Sequence, residues 1–447
     1  MESNSSSIRT QRVFLLVWLF ISVVVFTACG GGNENTADIE PTITNPSATV
    51  TPLSIEQTTP VPTDEVTPAV SANMVLWWPE ALAPSDLPQA TELLGQQIAD
   101  FAISVDGGVD VEFRRKSYQD TGGILSTLRT AGTVAPGVLP DLTLIRRSDL
   151  ASAVQDGVIH PLEGFVSSAI IGDLYDSALE LGQVDGQIYG LPYTLDVLHL
   201  SYQSDETVPE WSFAAVLDSE SAFVFPAGRV NGINNTFYLQ YLDAGGTAPR
   251  SDGSMRLNED ALRTVLDFYE QAYSSGIVDG QVFEYASATD YKAALLTAEI
   301  NMAVLDSTTY MDLIAEGVDL LSASIPTESG QAVSVVDGWM WVMTTDNTDR
   351  QELAASFLNR MMDTSSQREY AEAVHMLPSQ RMALLDMAPD LVDVELMDSL
   401  LDNAVIPLPE NAGGSVARAM QNALIAVLSG ESTAEEAVQV VIEQVGD

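Results

Sequence analysis

Two hydrophobic periodicities alternate along the first part of the folded chain. Short apolar or alternating runs predict β-strands at 74–78, 109–113 and 140–145. Between these runs, apolar residues recur at helical spacing and predict helices at 89–101 and 124–131. Because alternating strands and helices are typical of a parallel sheet covered by helices, this part of the chain is expected to be an α/β layer.

Two longer extended runs follow, the first within 186–202 and the second at 333–343. Further strands are predicted at 222–225, 301–305 and 321–325, and an amphipathic helix is predicted at 259–273. Helices dominate the C-terminal part, where Ser432 and Glu435 have the spacing of a capping box. The two distant extended runs suggest a chain that passes between two lobes more than once.

The N-terminal end has the pattern of a secretory signal peptide. Two arginines precede an uncharged run at 13–26, which is short for a membrane-spanning helix. The sequence Phe26-Thr27-Ala28-Cys29 resembles the lipobox of bacterial lipoproteins, although leucine is usual where Phe26 stands. We therefore expect a signal peptide over 1–28 and a lipid on Cys29, the chain's single cysteine. The alternatives are an ordinary signal peptide with an incidental cysteine and a short anchor that is never cut.

A segment rich in Thr, Pro and Ser follows this cysteine. Residues 29–72 contain few side chains that could fill a core, so they are expected to form a disordered, semi-stiff tether. The alternative is a disordered terminus without a role. The rest of the chain is too long for one ordinary core, which makes two lobes the default expectation.

The chain is strongly acidic, with a net charge of −45 and only two lysines, Lys116 and Lys292. Such a surface repels phosphate backbones and argues against nucleic-acid binding. It also disfavours docking of the folded body on anionic lipids. The single cysteine excludes disulfide frameworks and thiolate metal sites.

No enzyme motif is evident in the sequence. The three histidines are scattered, and neither a zinc-protease motif, a nucleophile elbow nor a phosphate-binding loop occurs. Paired carboxylates could serve glycoside hydrolysis, but with 63 acidic residues such pairs arise by chance. A metal-dependent or nucleophilic enzyme therefore has little support, and no cofactor is expected.

Several segments together resemble one family, the extracellular solute-binding proteins of ABC importers, and specifically their sugar-binding group (family 1). The segments occur in the family's order at Pro140–Leu144, Gly157–Glu163, Gly186–Gln203, Ala298–Val304, Asp337–Trp339 and Ala423–Ala437. The chain departs from the family pattern at several positions, including Thr308, where the family often has a tryptophan. Gln203 replaces an asparagine, Ala298 replaces a glycine and Glu299 replaces a lysine.

This resemblance implies an α/β, two-lobed periplasmic-binding-protein-like fold of type II, with a cleft between the lobes and crossing hinge strands. The implied lobes are 73–200 plus about 338–378, and about 201–337 plus 379–447. The implied function is capture of a small solute, with a carbohydrate as first choice, and its delivery to a membrane permease. The protein would be monomeric, extracytoplasmic and lipid-anchored.

Other functions stay open at this stage. A polyamine or a metal chelate could be the solute of such a binding protein. The protein could also belong to another functional class, either as a surface hydrolase that acts on polysaccharide or as a purely structural surface protein.

A sugar site should combine aromatic rings for the flat sugar faces with carboxylates and amides for the hydroxyl groups. The candidates are Trp78, Glu80, Tyr118, Tyr193, Asp196, Asn234, Asp306, Ser307, Asp337 and Trp339. Trp339 is the predicted ligand ring, because it lies in the segment that matches the family's second hinge. By strand alternation it should share a face with Trp341. The alternative for each tryptophan is a place in the core, and for Asn234 a purely local role in a turn.

Overall fold

A computed structural model of the chain describes residues 72–134, 136–203, 211–219, 221–229, 232–250, 253–409 and 412–445. The predicted signal peptide, Cys29 and the predicted tether up to its last residue lie outside the described residues. No helix in the described part of the chain has the length and apolar character needed to cross a membrane.

The strands within the described residues form one large sheet and one small hairpin. Their bounds are β1 (Ala72–Pro79), β2 (Val109–Lys116), β3 (Leu142–Arg146), β4 (Gln183–Val184), β5 (Gln187–Ile188), β6 (Leu191–Gln203), β7 (Phe223–Val224), β8 (Met302–Asp306), β9 (Leu320–Ala323), β10 (Ser334–Met343), β11 (Leu377–Pro378) and β12 (Ala404–Val405). The main order is β2-β1-β3-β10-β6-β8-β7, with β9 and β11 paired to β6 and β12 paired to β10. Strands β4 and β5 pair only with each other.

Helices cover this sheet. Their bounds are α1 (Pro88–Ser104), α2 (Ile124–Val134), α3 (Arg147–Gln155), α4 (Ser168–Asp173), α5 (Asp176–Leu181), α6 (Phe213–Ser219), α7 (Asn235–Asp243), α8 (Glu259–Ser275), α9 (Lys292–Leu296), α10 (Ser307–Ala315), α11 (Thr348–Met361), α12 (Thr364–Ala373), α13 (Arg381–Leu385), α14 (Val394–Asp402), α15 (Gly414–Leu428) and α16 (Ala434–Val445). The parallel α/β layer predicted for the first part is confirmed, because β1 lies parallel to both β2 and β3.

The long strands β6 and β10 join the two parts of the sheet, as the extended runs in the sequence predict. The first part of β6 pairs with β10, and its last residues pair with β8 and β9. Gly338 allows the close approach of β6 and β10, since a Cβ there would lie 2.3 Å from the carbonyl oxygen of Thr194. Glycine at this position therefore allows the two crossing strands to pair closely.

Both faces of the sheet are buried. In β10, Trp339 and Trp341 pack into one hydrophobic cluster, while Met340 and Val342 pack into another. This confirms the alternation predicted for the strand. A third cluster lies around α8, α15 and α16 and forms the core of the part that follows β6.

The last helix is capped one residue later than the sequence pattern suggests. The backbone N–H of Glu436 donates to Thr433 Oγ1 at 3.2 Å, and the N–H of Thr433 donates to Glu436 Oε2 at 3.1 Å. The predicted box of Ser432 and Glu435 is therefore wrong by one position. Both pairs have the required spacing, so the sequence alone does not separate them.

Candidate functional site

A cavity of about 310 Å³ lies against the crossing strands β6 and β10 and the neighbouring strand β8. Its polar lining consists of Arg146, Asp196, Arg229, Asn234, Asn235, Ser287, Asp306 and Asp337. The remaining lining residues are small or aliphatic, and no aromatic ring of the described residues lines the cavity. Of the predicted combination of aromatic rings and acidic groups, the cavity lining therefore contains only the acidic groups.

Three carboxylates reach the cavity because their strands are neighbours. Asp196 of β6 lies directly opposite Asp337 of β10 in the antiparallel register. Asp306 of β8 pairs with Leu198, which is two residues from Asp196 and therefore on the same face. Side chains two apart on a strand share a face, so the sheet brings together three acids that are distant in sequence.

Asp196 is the most constrained of these acids. Ser307 Oγ donates to its Oδ1 at 2.7 Å, and Thr308 donates to it through the backbone N–H and through Oγ1, both at 3.1 Å. Burial, and next the charge of Asp306, raise the pKa of Asp196 to about 7. Hydrogen bonds from Ser307 and Thr308 favour the ionised carboxylate and so lower its pKa. These donors are neutral, and their effect is smaller than the increase caused by burial and by Asp306.

Asp337 has a cationic partner. Its Oδ2 is 3.6 Å from Nη1 of Arg146, whose guanidinium group also lies over the ring of Trp339. Tyr118 packs edge-on against Trp339, with ring centres 4.9 Å apart, and accepts a hydrogen bond from the backbone N–H of Arg146. The predicted residues Tyr118 and Trp339 therefore support Arg146 beside the cavity. Trp339 is only 3% exposed, so its ring is not the open stacking surface that the sequence suggested.

Three other candidates have local structural partners. Asn234 lines the cavity, but its Oδ1 accepts from Phe237 N–H at the start of α7 and its Nδ2 donates to Gln421 Oε1. Asp306 caps α10 in the same way through Thr309 N–H, while still lining the cavity. Ser307 is fully buried and does not line the cavity, but its Oγ donates to Asp196 and accepts from the backbone N–H of Val197, two residues that do.

Trp78 and Tyr193 are corrected by the structure. Both are fully buried in an aromatic cluster with Trp341 and Tyr370. The indole N–H of Trp78 donates to Tyr370 Oη at 3.1 Å, which fixes that ring inside the core. Glu80 is exposed in a short 3-10 helix and does not line the cavity. Trp78, Tyr193 and Glu80 are therefore no longer candidates for binding the ligand.

Sequence reasoning missed two cavity arginines. Arg146 is the last residue of β3, at the strand end where α/β proteins place ligand-binding side chains. This position at the end of a strand is the sequence feature that could have identified Arg146. Arg229 follows β7 in a loop, where it donates to the Leu408 carbonyl at 3.3 Å and to Asn235 Oδ1 at 3.5 Å. No sequence pattern marks it.

The cavity can bind polar groups but holds no evident metal site. No group of three or more His, Cys, Asp or Glu side chains suited to a metal ion occurs among the described residues. Its oxygen and nitrogen atoms can accept from and donate to a small polar solute.

The sequence model of one family, described as bacterial extracellular solute-binding protein, matches residues 96–390. This match covers well over half of the chain. No curated protein matches the sequence.

Solved structures share the fold at low sequence identity. The cyclic α-maltosyl-1,6-maltose binding protein of Arthrobacter globiformis has a TM-score of 0.67 at 15% identity, over 84% of this chain and 98% of that one. The sugar-binding protein MalE of Xanthomonas citri has a TM-score of 0.67 at 15% identity, over 84% and 96%. A solute-binding protein of Thermotoga lettingae, bound with α-D-tagatose, has a TM-score of 0.61 at 17% identity, over 84% and 99%. The fold is therefore the two-lobed α/β fold of these binding proteins.

Proposed function

Because the chain belongs to the bacterial extracellular solute-binding protein family, we propose that it binds a carbohydrate in the cavity at the crossing strands and delivers it to an ABC importer. The family consists of binding proteins rather than enzymes. The proteins of similar fold include one named for cyclic α-maltosyl-1,6-maltose and one that was bound with α-D-tagatose, which supports a sugar as the solute.

The observation that carries this proposal is the convergence of polar groups on the cavity. Arg146 offers N–H donors, while Asp196, Asp306 and Asp337 offer acceptors, and sugar hydroxyls can use both. A cavity of about 310 Å³ is at the small end of ligand pockets, which suits a small solute. Recognition would rest on hydrogen bonds more than on ring stacking.

Closure of the lobes follows from where these groups originate. Arg146 belongs to β3, on one side of the crossing strands, and Asp306 belongs to β8, on the other. A solute that contacts both would favour the closed arrangement over the open one, and the permease would recognise the closed form. Strands β6 and β10 would act as the hinge.

The lobes and the anchor complete the proposal. We place 73–200 with about 338–378 in the first lobe, and about 201–337 with the C-terminal helices in the second. The hydrogen bonds from Tyr175 Oη to Asp398 and from Ser177 Oγ to the Leu401 carbonyl favour moving α14 from the second lobe to the first. A lipid on Cys29, after removal of residues 1–28, would hold a monomeric protein at the outer face of the membrane.

A calorimetric titration against neutral and amino sugars, with spermidine and a metal chelate included, tests the proposal. At least one sugar should bind, and Arg146→Gln should weaken that binding by about tenfold or more, since a charge-assisted hydrogen bond is lost. Glu352→Gln is the matched control, because Glu352 is exposed on α11 away from the cavity. Binding of spermidine or the chelate without any sugar would contradict a carbohydrate ligand.

A further inference from the structure

Two of the acidic side chains at the cavity form no salt bridge. None of the ion pairs formed among the described residues involves Asp196 or Asp306. Their hydrogen-bond donors are neutral: hydroxyl and backbone groups of Ser307 and Thr308 for Asp196, and the Thr309 N–H for Asp306. Two neighbouring carboxylates thus face the cavity without a salt bridge, and only the more distant charge of Arg146 acts favourably on Asp196.

The fold has no further cation to supply. Apart from Arg9 and Arg12 near the N-terminus, every lysine and arginine of the chain lies in the described residues. Of the two at the cavity, Arg146 pairs with Asp337, and Arg229 donates to Leu408 and Asn235. No lysine or arginine of the described residues thus forms a salt bridge with Asp196 or Asp306, and a cation carried by a bound solute could do so.

On this basis, and resting on the function proposed above, we propose that the carbohydrate carries a protonated amine, which binds beside Asp196 and Asp306. An ammonium group is a donor without acceptor atoms, and ionised carboxylates are acceptors only, so the two are complementary in charge and in hydrogen bonding. A neutral sugar would offer hydroxyl donors but no positive charge to pair with Asp306 or with the ionised form of Asp196. The solute class is therefore an amino sugar with a free amine.

The ionisation of Asp196 gives this proposal a second readout. Burial and the Asp306 charge raise the pKa of Asp196 to about 7 in the protein without solute, so this carboxyl group is partly protonated at neutral pH. A bound ammonium group would favour the ionised form, so binding at neutral pH should release a proton from the protein. A neutral sugar in the same place should release none.

Calorimetry of the full chain with spermidine and with three sugars, D-glucosamine, N-acetyl-D-glucosamine and D-glucose, tests the inference. Glucosamine should bind about tenfold or more tightly than the other two, as expected for a charge-assisted pair in a partly buried site. Its binding heat should change between buffers of different ionisation enthalpy, which reports proton release. Asp306→Asn should remove most of the preference for glucosamine over D-glucose, whatever it does to the absolute affinity for either sugar, and Glu352→Gln should preserve the preference.

The outcomes separate the two proposals. Equal or tighter binding of D-glucose or N-acetyl-D-glucosamine overturns the amine preference but leaves a carbohydrate receptor. A preference that Asp306→Asn leaves unchanged also overturns the inference. Binding of spermidine with no response to any sugar supports a cation-selective cavity and overturns the carbohydrate assignment. No response to any of the four compounds overturns both proposals.

Discussion

The guanidinium group of Arg146 lies over the indole ring of Trp339, 4.5 Å from the ring centre. The register of β3 and β10 places these two residues opposite each other. Attraction between a cation and the ring face holds the guanidinium group in position. The aromatic residue that the sequence selects as a stacking surface therefore acts on the cavity through Arg146.

Replacement of Trp339 by alanine should weaken both the fold and solute binding. The ring is nearly fully buried and packs against Tyr118, so its removal should lower the free energy of unfolding by roughly 3–5 kcal/mol. Binding should weaken because Arg146 loses the surface that orients it. Urea unfolding and calorimetry on the same preparation would measure the two effects.

Trp339→Phe is the matched control, since it keeps an aromatic ring under the guanidinium group. We expect it to retain more stability and more affinity than the alanine variant. Loss of binding with an unchanged urea midpoint in Trp339→Ala would instead show that the ring contacts the solute directly.

Asp196 should make the protein less stable as pH rises. Its pKa is raised in the folded state by burial and by Asp306, so folding favours the protonated form. This contribution is complete below the unfolded pKa of about 4 and is lost as pH rises through about 7. Asp196→Asn removes the loss, so the variant should gain roughly 1–3 kcal/mol over wild type between about pH 4 and pH 8.

Urea unfolding across this pH range measures that gain. Glu352→Gln removes the same charge from an exposed helix position and should change stability little at any pH. A constant difference between Asp196→Asn and wild type at all pH values would mean that Asp196 ionises normally in the folded protein.

His199 should produce the opposite pH dependence. It is fully buried in β6, and its Nε2 has no hydrogen-bond partner among the described residues. Burial lowers its pKa to about 4, so below the unfolded pKa of about 6.5 only the unfolded chain takes up the proton. The stability associated with neutral His199 is complete above about pH 6.5 and falls by roughly 3 kcal/mol as pH decreases to about 4.

The variant His199→Leu lacks this titration. The contributions of all other groups, including Asp196, cancel when the variant is compared with wild type at the same pH. The free energy of unfolding of His199→Leu should therefore increase relative to that of wild type as pH decreases from about 6.5 to about 4, whatever the difference at neutral pH. Unfolding curves in urea at several pH values give both slopes. Identical slopes in the two proteins would show that His199 does not contribute to the acid sensitivity.

Much of the fold could be predicted from the sequence because its signals are periodic. The crossing strands β6 and β10 are long extended runs, and α8 has a clear apolar face with an Asn258 cap and a Gly276 end. The acids at the cavity could also be predicted. Asp196 and Asp337 lie in strands whose pairing follows from the lobe crossing, and Asp306 ends a recognisable strand.

The aromatic part of the site could not be predicted, for a physical reason. Trp77 and Trp78 are consecutive residues of β1, so their side chains point to opposite faces of the sheet. One of them would be exposed only if one face were open to solvent, but β1 is buried on both faces. Tyr193 lies in a strand covered in the same way. The roles of Asn234 and Ser307 in capping and in supporting Asp196 depend on tertiary contacts that no local pattern contains.

Ala298 provides a test of a departure from the family pattern, at a position where the resemblance expects glycine. Its φ is +55°, a left-handed conformation that strains a residue with a side chain. Ala298→Gly should therefore raise the free energy of unfolding by roughly 1 kcal/mol, without an effect on binding because the residue is exposed outside the cavity. Ala293→Gly, in the exposed face of the neighbouring helix α9, is the control and should lower stability by about 1 kcal/mol. If both variants lose stability in thermal or urea unfolding, the left-handed conformation at Ala298 carries no strain that glycine relieves.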